Sequence, residues 1–212
     1  MKIIMIRHAK VDIKWEEKYT SAGYDSASAA YDAAPIVPVE EERFDAGDRI
    51  VYVSALPRTA ATARGLFGED AELKIDADLN EVPRRSCRDT DRMRSRRYWD
   101  LMGRLQWFLG SPRQEETRRD TIRRADAVLD RIEREPKDVI VVSHGFFLLT
   151  LIARLKKRGY VITKGSLFLI GNLERVRATK REDHCGACNR NCLLTSPGCG
   201  VGIDKARREG SL

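Results

Sequence analysis

No stretch of this sequence is long and apolar enough to cross a membrane as a helix. The longest apolar runs, near Ile3–Ile6 and Phe146–Ala153, fall far short of the roughly 20 residues a bilayer needs. The first residues do not read as a signal peptide, because Arg7, His8 and Lys10 break the apolar run at once. A cytoplasmic protein with no membrane partner is the expectation. Internal repeats and low-complexity segments are lacking too, so the chain is not a repeat array. Cysteine is nearly absent before the tail: Cys87 stands alone, and the other four crowd together at Cys185, Cys188, Cys192 and Cys199. In a cytosolic chain that clustering points to a metal rather than to disulfides. No acidic cluster marks a catalytic metal, and no recognised nucleic-acid-binding fold is present.

What is present is a basic chain of 212 residues, with net charge +7 and 42% hydrophobic residues. That is enough for an ordinary core, and the charge favours anionic partners. Ile3–Ile6 is continuous and β-branched, as a strand buried on both faces is. Ser21–Ala34 has Tyr24, Ala27 and Tyr31 at helical spacing and ends at Pro35. Ile50–Val53 predicts a second strand, Thr59–Phe67 a helix closed by Gly68, and Glu72–Ile75 a short third strand. Tyr98–Leu109 is amphipathic, with Leu101, Leu105 and Phe108 on one face. Glu115–Arg134 predicts a long helix with a stripe of Ile122, Ala125, Val128, Leu129 and Ile132. Val139–Val142 is a fourth strand, Phe146–Lys157 the following helix, and Leu167–Ile170 and Leu173–Val176 are late strands. Alternating strands and helices predict an α/β fold, a mostly parallel sheet in a three-layer helix-sheet-helix sandwich.

Four strand ends carry reactive groups: Arg7-His8 after the first, Ser54 to Thr59 with Arg58 after the second, Glu81 after the third, and Ser143-His144-Gly145 after the fourth. The carboxyl ends of strands are where open α/β sheets bind ligands. Arginine matches phosphate with a planar, permanently charged fork. A neutral imidazole can attack phosphorus, and a carboxylic acid can protonate a leaving oxygen and later activate water. With no catalytic metal or other cofactor implied, the arginines carry the charge compensation.

Arg7-His8-Ala9, Ser54 to Ala63, Leu79-Asn80-Glu81 and Ser143-His144-Gly145, in this order, resemble the histidine phosphatase superfamily, the phosphoglycerate mutase-like fold. The likeness spans residues 1–175. It implies a phosphoric ester hydrolase in which His8 becomes a phosphohistidine. Arg7, Arg58 and His144 would hold the phosphoryl oxygens, and Glu81 would be the general acid and base. The expected substrate is a phosphorylated small molecule or a phosphoprotein. Many members have Gly where Ala9 stands. The mutase branch follows with an acidic residue, Ser and Asn, where this chain has Lys10, Val11 and Lys14, so a phosphatase is favoured over a mutase. Arg-His-Ala-Lys is also similar to bacterial phosphohistidine phosphatases. A non-catalytic regulatory protein on the same fold is the contrasting reading.

Two segments fall outside these motifs. The resemblance places a cap at the insertion 83–114, which holds seven arginines between Arg84 and Arg97. That run is either a lid for a polyanion or a solvated face balanced by Asp89, Asp91 and Asp100, the second being the plainer reading. Trp99, Trp107 and Phe108 beside it are expected in the core. The predicted domains are 1–178 and a Cys-rich tail, 179–212. The tail's C-x2-C-x3-C-x6-C spacing would let four thiolates surround zinc or an iron–sulfur cluster, with His184 as a substitute ligand.

Overall fold

The computed structural model describes residues 1–40, 43–163 and 170–181. In chain order the elements are β1 (Lys2–Arg7), β2 (Lys18–Tyr19), α1 (Ser21–Ala33), β3 (Ile50–Val53), α2 (Pro57–Phe67), β4 (Leu73–Ile75), a short 3-10 turn (Ala77–Leu79), β5 (Arg94–Ser95), α3 (Arg96–Leu109), α4 (Arg118–Ile132), β6 (Val139–Ser143), α5 (Gly145–Lys157), β7 (Tyr160–Thr163) and β8 (Arg175–Lys180). Among the described residues no helix is long and apolar enough to cross a membrane.

The main sheet runs β4-β3-β6-β1-β8-β7. Its first four strands are parallel; β8 pairs antiparallel with β1, and β7 antiparallel with β8, so that β7 runs in the direction of β1. Strand alternation builds the two layers. Ile3 and Met5 of β1, with Val139 and Val141 of β6, face α4 and α5. Ile6 of β1, with Ile140 and Val142 of β6, faces α2 through Ala63 and Leu66. Burying both faces explains why β1 and β6 are continuous apolar runs rather than alternating ones. The three-layer α/β architecture predicted from the sequence is the architecture found.

Helix boundaries follow capping chemistry. The Thr20 side chain caps α1, Pro57 opens α2, and Thr117 with Asp120 forms a reciprocal capping box at α4. Gly110, at φ 77°, closes α3 in a left-handed conformation that favours glycine.

Several expectations need correcting. The stripe Leu101, Leu105 and Phe108 faces solvent, and α3 packs instead through buried Trp99, Gly103 and Trp107. Phe108 is therefore not a core residue, unlike Trp99 and Trp107. Gly103 permits the inverted face, because a Cβ there would lie 3.0 Å from the Arg85 carbonyl oxygen. Ile170 lies outside any strand, and the rest of Leu167–Ile170 lies outside the described residues. β7, β2 and β5 were not foreseen. The predicted domain boundary after residue 178 falls within β8. The Cys185, Cys188, Cys192 and Cys199 cluster, with His184, lies outside the described residues.

The insertion 83–114 has structure of its own. β5 pairs with β2, and Tyr19, Tyr24, Cys87 and Trp99 form a small separate core. The Trp99 indole donates to the Tyr19 carbonyl at 3.0 Å. Ser86 is tied to Asp25 of α1 through its backbone N–H and its hydroxyl.

Candidate active site

The carboxyl ends of β1, β3 and β6, with the loop after β4, bring four predicted motifs together. His8 follows β1 and is 2% exposed. Its Nδ1 lies 2.7 Å from the Ala9 carbonyl oxygen. A carbonyl oxygen only accepts, so Nδ1 carries the proton and a neutral ring keeps its lone pair on Nε2. Burial pushes the His8 imidazole down from 6.5 to about 4, and Arg58 and Arg7 add to the shift. Two neighbouring bonds fix the backbone: Ala9 N–H donates to Thr62 Oγ1 at 2.9 Å, and Asn172 Nδ2 donates to the His8 carbonyl at 2.8 Å.

Arg58 sits in the first turn of α2 and is fully buried. Its Nε donates to His144 Nδ1 at 3.2 Å. Its Nη1 pairs with Asp32 Oδ1 at 3.0 Å. Its Nη2 is buried without a hydrogen-bond partner. A buried guanidinium N–H of this kind, next to a histidine, can donate to an anionic oxygen.

His144 follows β6 and precedes α5, and its ring lies 5.0 Å from the His8 ring at a tilt of 57°. Arg58 can only donate to Nδ1, so the neutral ring carries its proton on Nε2, which reaches Ser54 Oγ at 2.8 Å. Burial, then Arg58, hold this imidazole well below its usual range. Both nitrogens are thus engaged by the protein, and His144 orients Arg58 and the β3 loop.

Arg7, the last residue of β1, donates from Nη1 to the Ile170 carbonyl at 2.6 Å, while its Nε is buried and unpartnered. Its side chain lies across the start of α5. A Cβ on Gly145 would stand 3.1 Å from Arg7 Nε and 3.2 Å from its Cζ, so glycine at position 145 makes room for Arg7.

Glu81 reaches the same helix from the other side. Its Oε1 accepts from Val82 N and Phe147 N, both at 2.9 Å, and its Oε2 accepts from Phe146 N at 3.2 Å. The carboxylate caps α5, where the helix dipole favours negative charge. Arg124 of α4 holds the loop before it, donating to the Asp78 and Asn80 carbonyls at 2.7 Å each. Asp76 and Asp78, the nearest alternative carboxylates, are both taken by Arg131.

Sequence reasoning therefore named the residues that converge: Arg7, His8, Arg58 and His144, with Glu81 at the α5 N-terminus. It assigned no role to Asp32, Thr62, Asn172 or Arg104, and read Arg84 only as one of an arginine run that is either a lid for a polyanion or a solvated face. Ser54 and Thr62 both lie within the Ser54 to Ala63 motif, and nothing in the sequence sets Arg84 apart from its run. The run itself divides. Arg85, Arg88, Arg92 and Arg97 are exposed, whereas Arg84 and Arg96 turn onto Trp15. Asp89 pairs with Arg113 rather than with the run, and Asp100 accepts from the Tyr24 hydroxyl. Among the described residues no three His, Cys, Asp or Glu side chains are grouped to hold a metal.

Comparison with known proteins bears on the fold and the family. No curated protein sequence matches the chain. Among solved structures, the open reading frame Rv3214 from Mycobacterium tuberculosis superimposes with TM-score 0.54 at 17% identity, covering 86% of this chain and 92% of that one. The mycobacterial glucosyl-3-phosphoglycerate phosphatase Rv2419c does so with TM-score 0.50 at 19% identity, covering 83% and 88%. These likenesses show a shared fold. The family model for the histidine phosphatase superfamily (branch 1) matches residues 3–177, a span that includes all four motifs, and the chain belongs to that family.

Proposed function

We propose that the protein is a phosphatase that hydrolyses a phosphomonoester, or a phosphohistidine, through a phosphohistidine on His8. One observation carries this reading. The His8 imidazole, neutral and with Nδ1 committed to the Ala9 carbonyl, stands among arginines whose buried Arg58 Nη2 and Arg7 Nε lack protein partners. That combination sets a nucleophile beside two buried cationic N–H donors.

In the first step the Nε2 lone pair forms a bond to phosphorus, and the P–O bond to the leaving group breaks. The electron pair goes to the leaving oxygen, which takes a proton from Glu81 or departs as an anion. Arg58 and Arg7 neutralise the equatorial oxygens, as phosphoryl transfer requires. His144 positions Arg58 for that task. In the second step water attacks phosphorus, gives its proton to Glu81, and releases His8 and phosphate. The three backbone N–H groups on Glu81 fix where that carboxylate stands.

A phosphatase is favoured over a mutase. Val11 is buried and bridges to Ile36, so it offers no polar atom where the mutase branch keeps a phosphate contact. The substrate proposed is a small phosphorylated metabolite, in keeping with the glucosyl-3-phosphoglycerate phosphatase among the structural relatives. For the tail, the proposal is that Cys185, Cys188, Cys192 and Cys199 hold zinc or an iron–sulfur cluster. Reduced protein with neither metal in stoichiometric amount would refute it. The catalytic reading is tested with p-nitrophenyl phosphate and no added metal. Wild type should hydrolyse it and His8→Ala should not. Equal activity in the two proteins would overturn the assignment.

A further inference from the structure

Two more guanidinium groups stand beside Glu81, and the scheme above uses neither. Arg84 is half-buried, with Cζ 4.8 Å from the centre of the Tyr31 ring and 5.6 Å from that of Trp15. These two rings are themselves in contact at 5.4 Å. The Arg84 guanidinium has no hydrogen bond or ion pair among the described residues. Arg104 comes from α3. It stacks on Phe146 at 3.9 Å and makes only long bonds, 3.3–3.4 Å, to the Val82 and Pro83 carbonyls.

Both cations belong to the catalytic cleft. Arg58 Cζ lies 5.2 Å from the same Tyr31 ring that Arg84 covers, so one phenol ring touches both guanidinium groups. Phe146, under Arg104, gives its N–H to Glu81. The charge of Glu81 acts on His8, Arg84 and Arg104 alike.

The acids nearby are already committed. Asp32 faces Arg58, Asp100 accepts from the Tyr24 hydroxyl at 2.7 Å, and both oxygens of Glu81 are held by backbone N–H groups. Aromatic faces offset part of the cost of a desolvated guanidinium but accept no in-plane N–H, so among the described residues the Arg84 fork meets no acceptor and the Arg104 fork has only the long bonds to the Val82 and Pro83 carbonyls. A ring stack also holds the fork rigid, which suits it to a two-oxygen anion. The scheme above assigns Arg7 and Arg58 to the reacting phosphoryl group, which leaves this second pair for a different group.

We propose that Arg84 and Arg104 form a second anion site, which binds a phosphoryl or carboxylate group carried by the leaving group of the substrate. The inference rests on the phosphatase reading and adds a substrate class to it: phosphoesters with a second negative charge a few bonds from the scissile oxygen. Charge on the leaving group grows as the P–O bond breaks, so this pair strengthens its hold in the transition state and contributes to kcat as well as to KM.

Three esters of matched size test the proposal: ethyl phosphate, phosphoglycolate and ethylene glycol bisphosphate. Wild type should prefer at least one of the two charged esters over ethyl phosphate by about tenfold or more in kcat/KM. Whether phosphoglycolate or the bisphosphate is preferred identifies the second group. Arg84→Gln and Arg104→Gln should bring that preference close to unity, and Arg84→Lys should keep part of it. No preference in wild type, or a preference surviving in both Gln variants, overturns the proposal. If no ester is hydrolysed at all, the phosphatase reading fails, and the site is judged by calorimetric titration of His8→Ala. Tighter binding of a charged ester than of ethyl phosphate, abolished by adding Arg84→Gln, supports the site; equal binding overturns it.

Discussion

Arg58 shows how one residue can organise the chemistry around it. A fully buried guanidinium is costly unless each N–H is met. Here Nε is met by His144 and Nη1 by Asp32, and the unmet Nη2 is the one a phosphoryl oxygen would fill. Lysine keeps the charge but loses the fork, so Arg58→Lys is expected to lower kcat/KM on p-nitrophenyl phosphate by about 100-fold or more. A loss within twofold would show that Arg58 does not touch the reacting group. The His8 shift gives a pH prediction. An imidazole held down to about 4 rather than 6.5 stays neutral, and nucleophilic, through the acidic range. The acid limb of kcat/KM should therefore lie near pH 4, and a limb near 6.5 would contradict the burial argument. The same shift bears on stability. Between pH 6.5 and about 4 the unfolded chain binds a proton at His8 that the folded chain refuses. Stability is thus complete above 6.5 and falls as the pH drops, by up to roughly 3 kcal/mol from this residue. His144 is shifted in the same direction and adds to the fall. Urea melts at pH 7 and pH 4 measure it.

At the scale of elements, α5 and α3 carry the argument. The N-terminus of α5 meets Arg7, Glu81 and His144 within its first turn, and Gly145 is the residue that lets Arg7 lie there. Gly145→Ala should displace Arg7 and lower kcat/KM by about tenfold, with little loss of stability, since alanine is the better helix former. Unchanged kinetics would remove Arg7 from the site. The α3 helix shows where sequence patterns mislead. Leu101, Leu105 and Phe108 recur at helical spacing, as do Trp99, Gly103 and Trp107, and periodicity alone does not choose between them. The choice falls to Gly103, whose missing side chain admits the Arg85 backbone. Trp99→Ala should accordingly cost roughly 3–5 kcal/mol, and Leu101→Gln about 0.5 kcal/mol or less. Thermal melts that reverse this order would invert the helix. The strands β1, β3 and β6 were legible because burial on both faces makes them purely apolar. In contrast, β8 was read only in part, because Arg175, Arg177 and Thr179 alternate with Val176 and Ala178, and β2 and β5 are two residues each.

At the scale of the whole molecule, the parallel strands place their carboxyl ends together, and the motifs that follow them in sequence meet at that edge of the sheet. That convergence is why Arg7, His8, Arg58 and His144 could be named from the sequence. Partners joined only by the fold could not. Asp32 and Asn172 are distant in sequence from the residues they hold, and Arg84 looks like any other arginine of its run until Trp15 and Tyr31 close on it. The net charge of +7 also acts at this scale. Long-range attraction of an anionic substrate is screened by salt, so kcat/KM should fall as ionic strength rises from low to physiological values, and a salt-independent rate would count against steering. The account as a whole turns on a covalent bond to one nitrogen. The measurement that reaches it most directly is rapid acid-free quenching of the enzyme with a phosphorus-labelled ester, followed by peptide mapping. The prediction is an acid-labile, alkali-stable label on the peptide bearing His8, formed and discharged at rates consistent with turnover and absent in His8→Ala. Steady turnover with no label on that peptide, or undiminished turnover in His8→Ala, would contradict it.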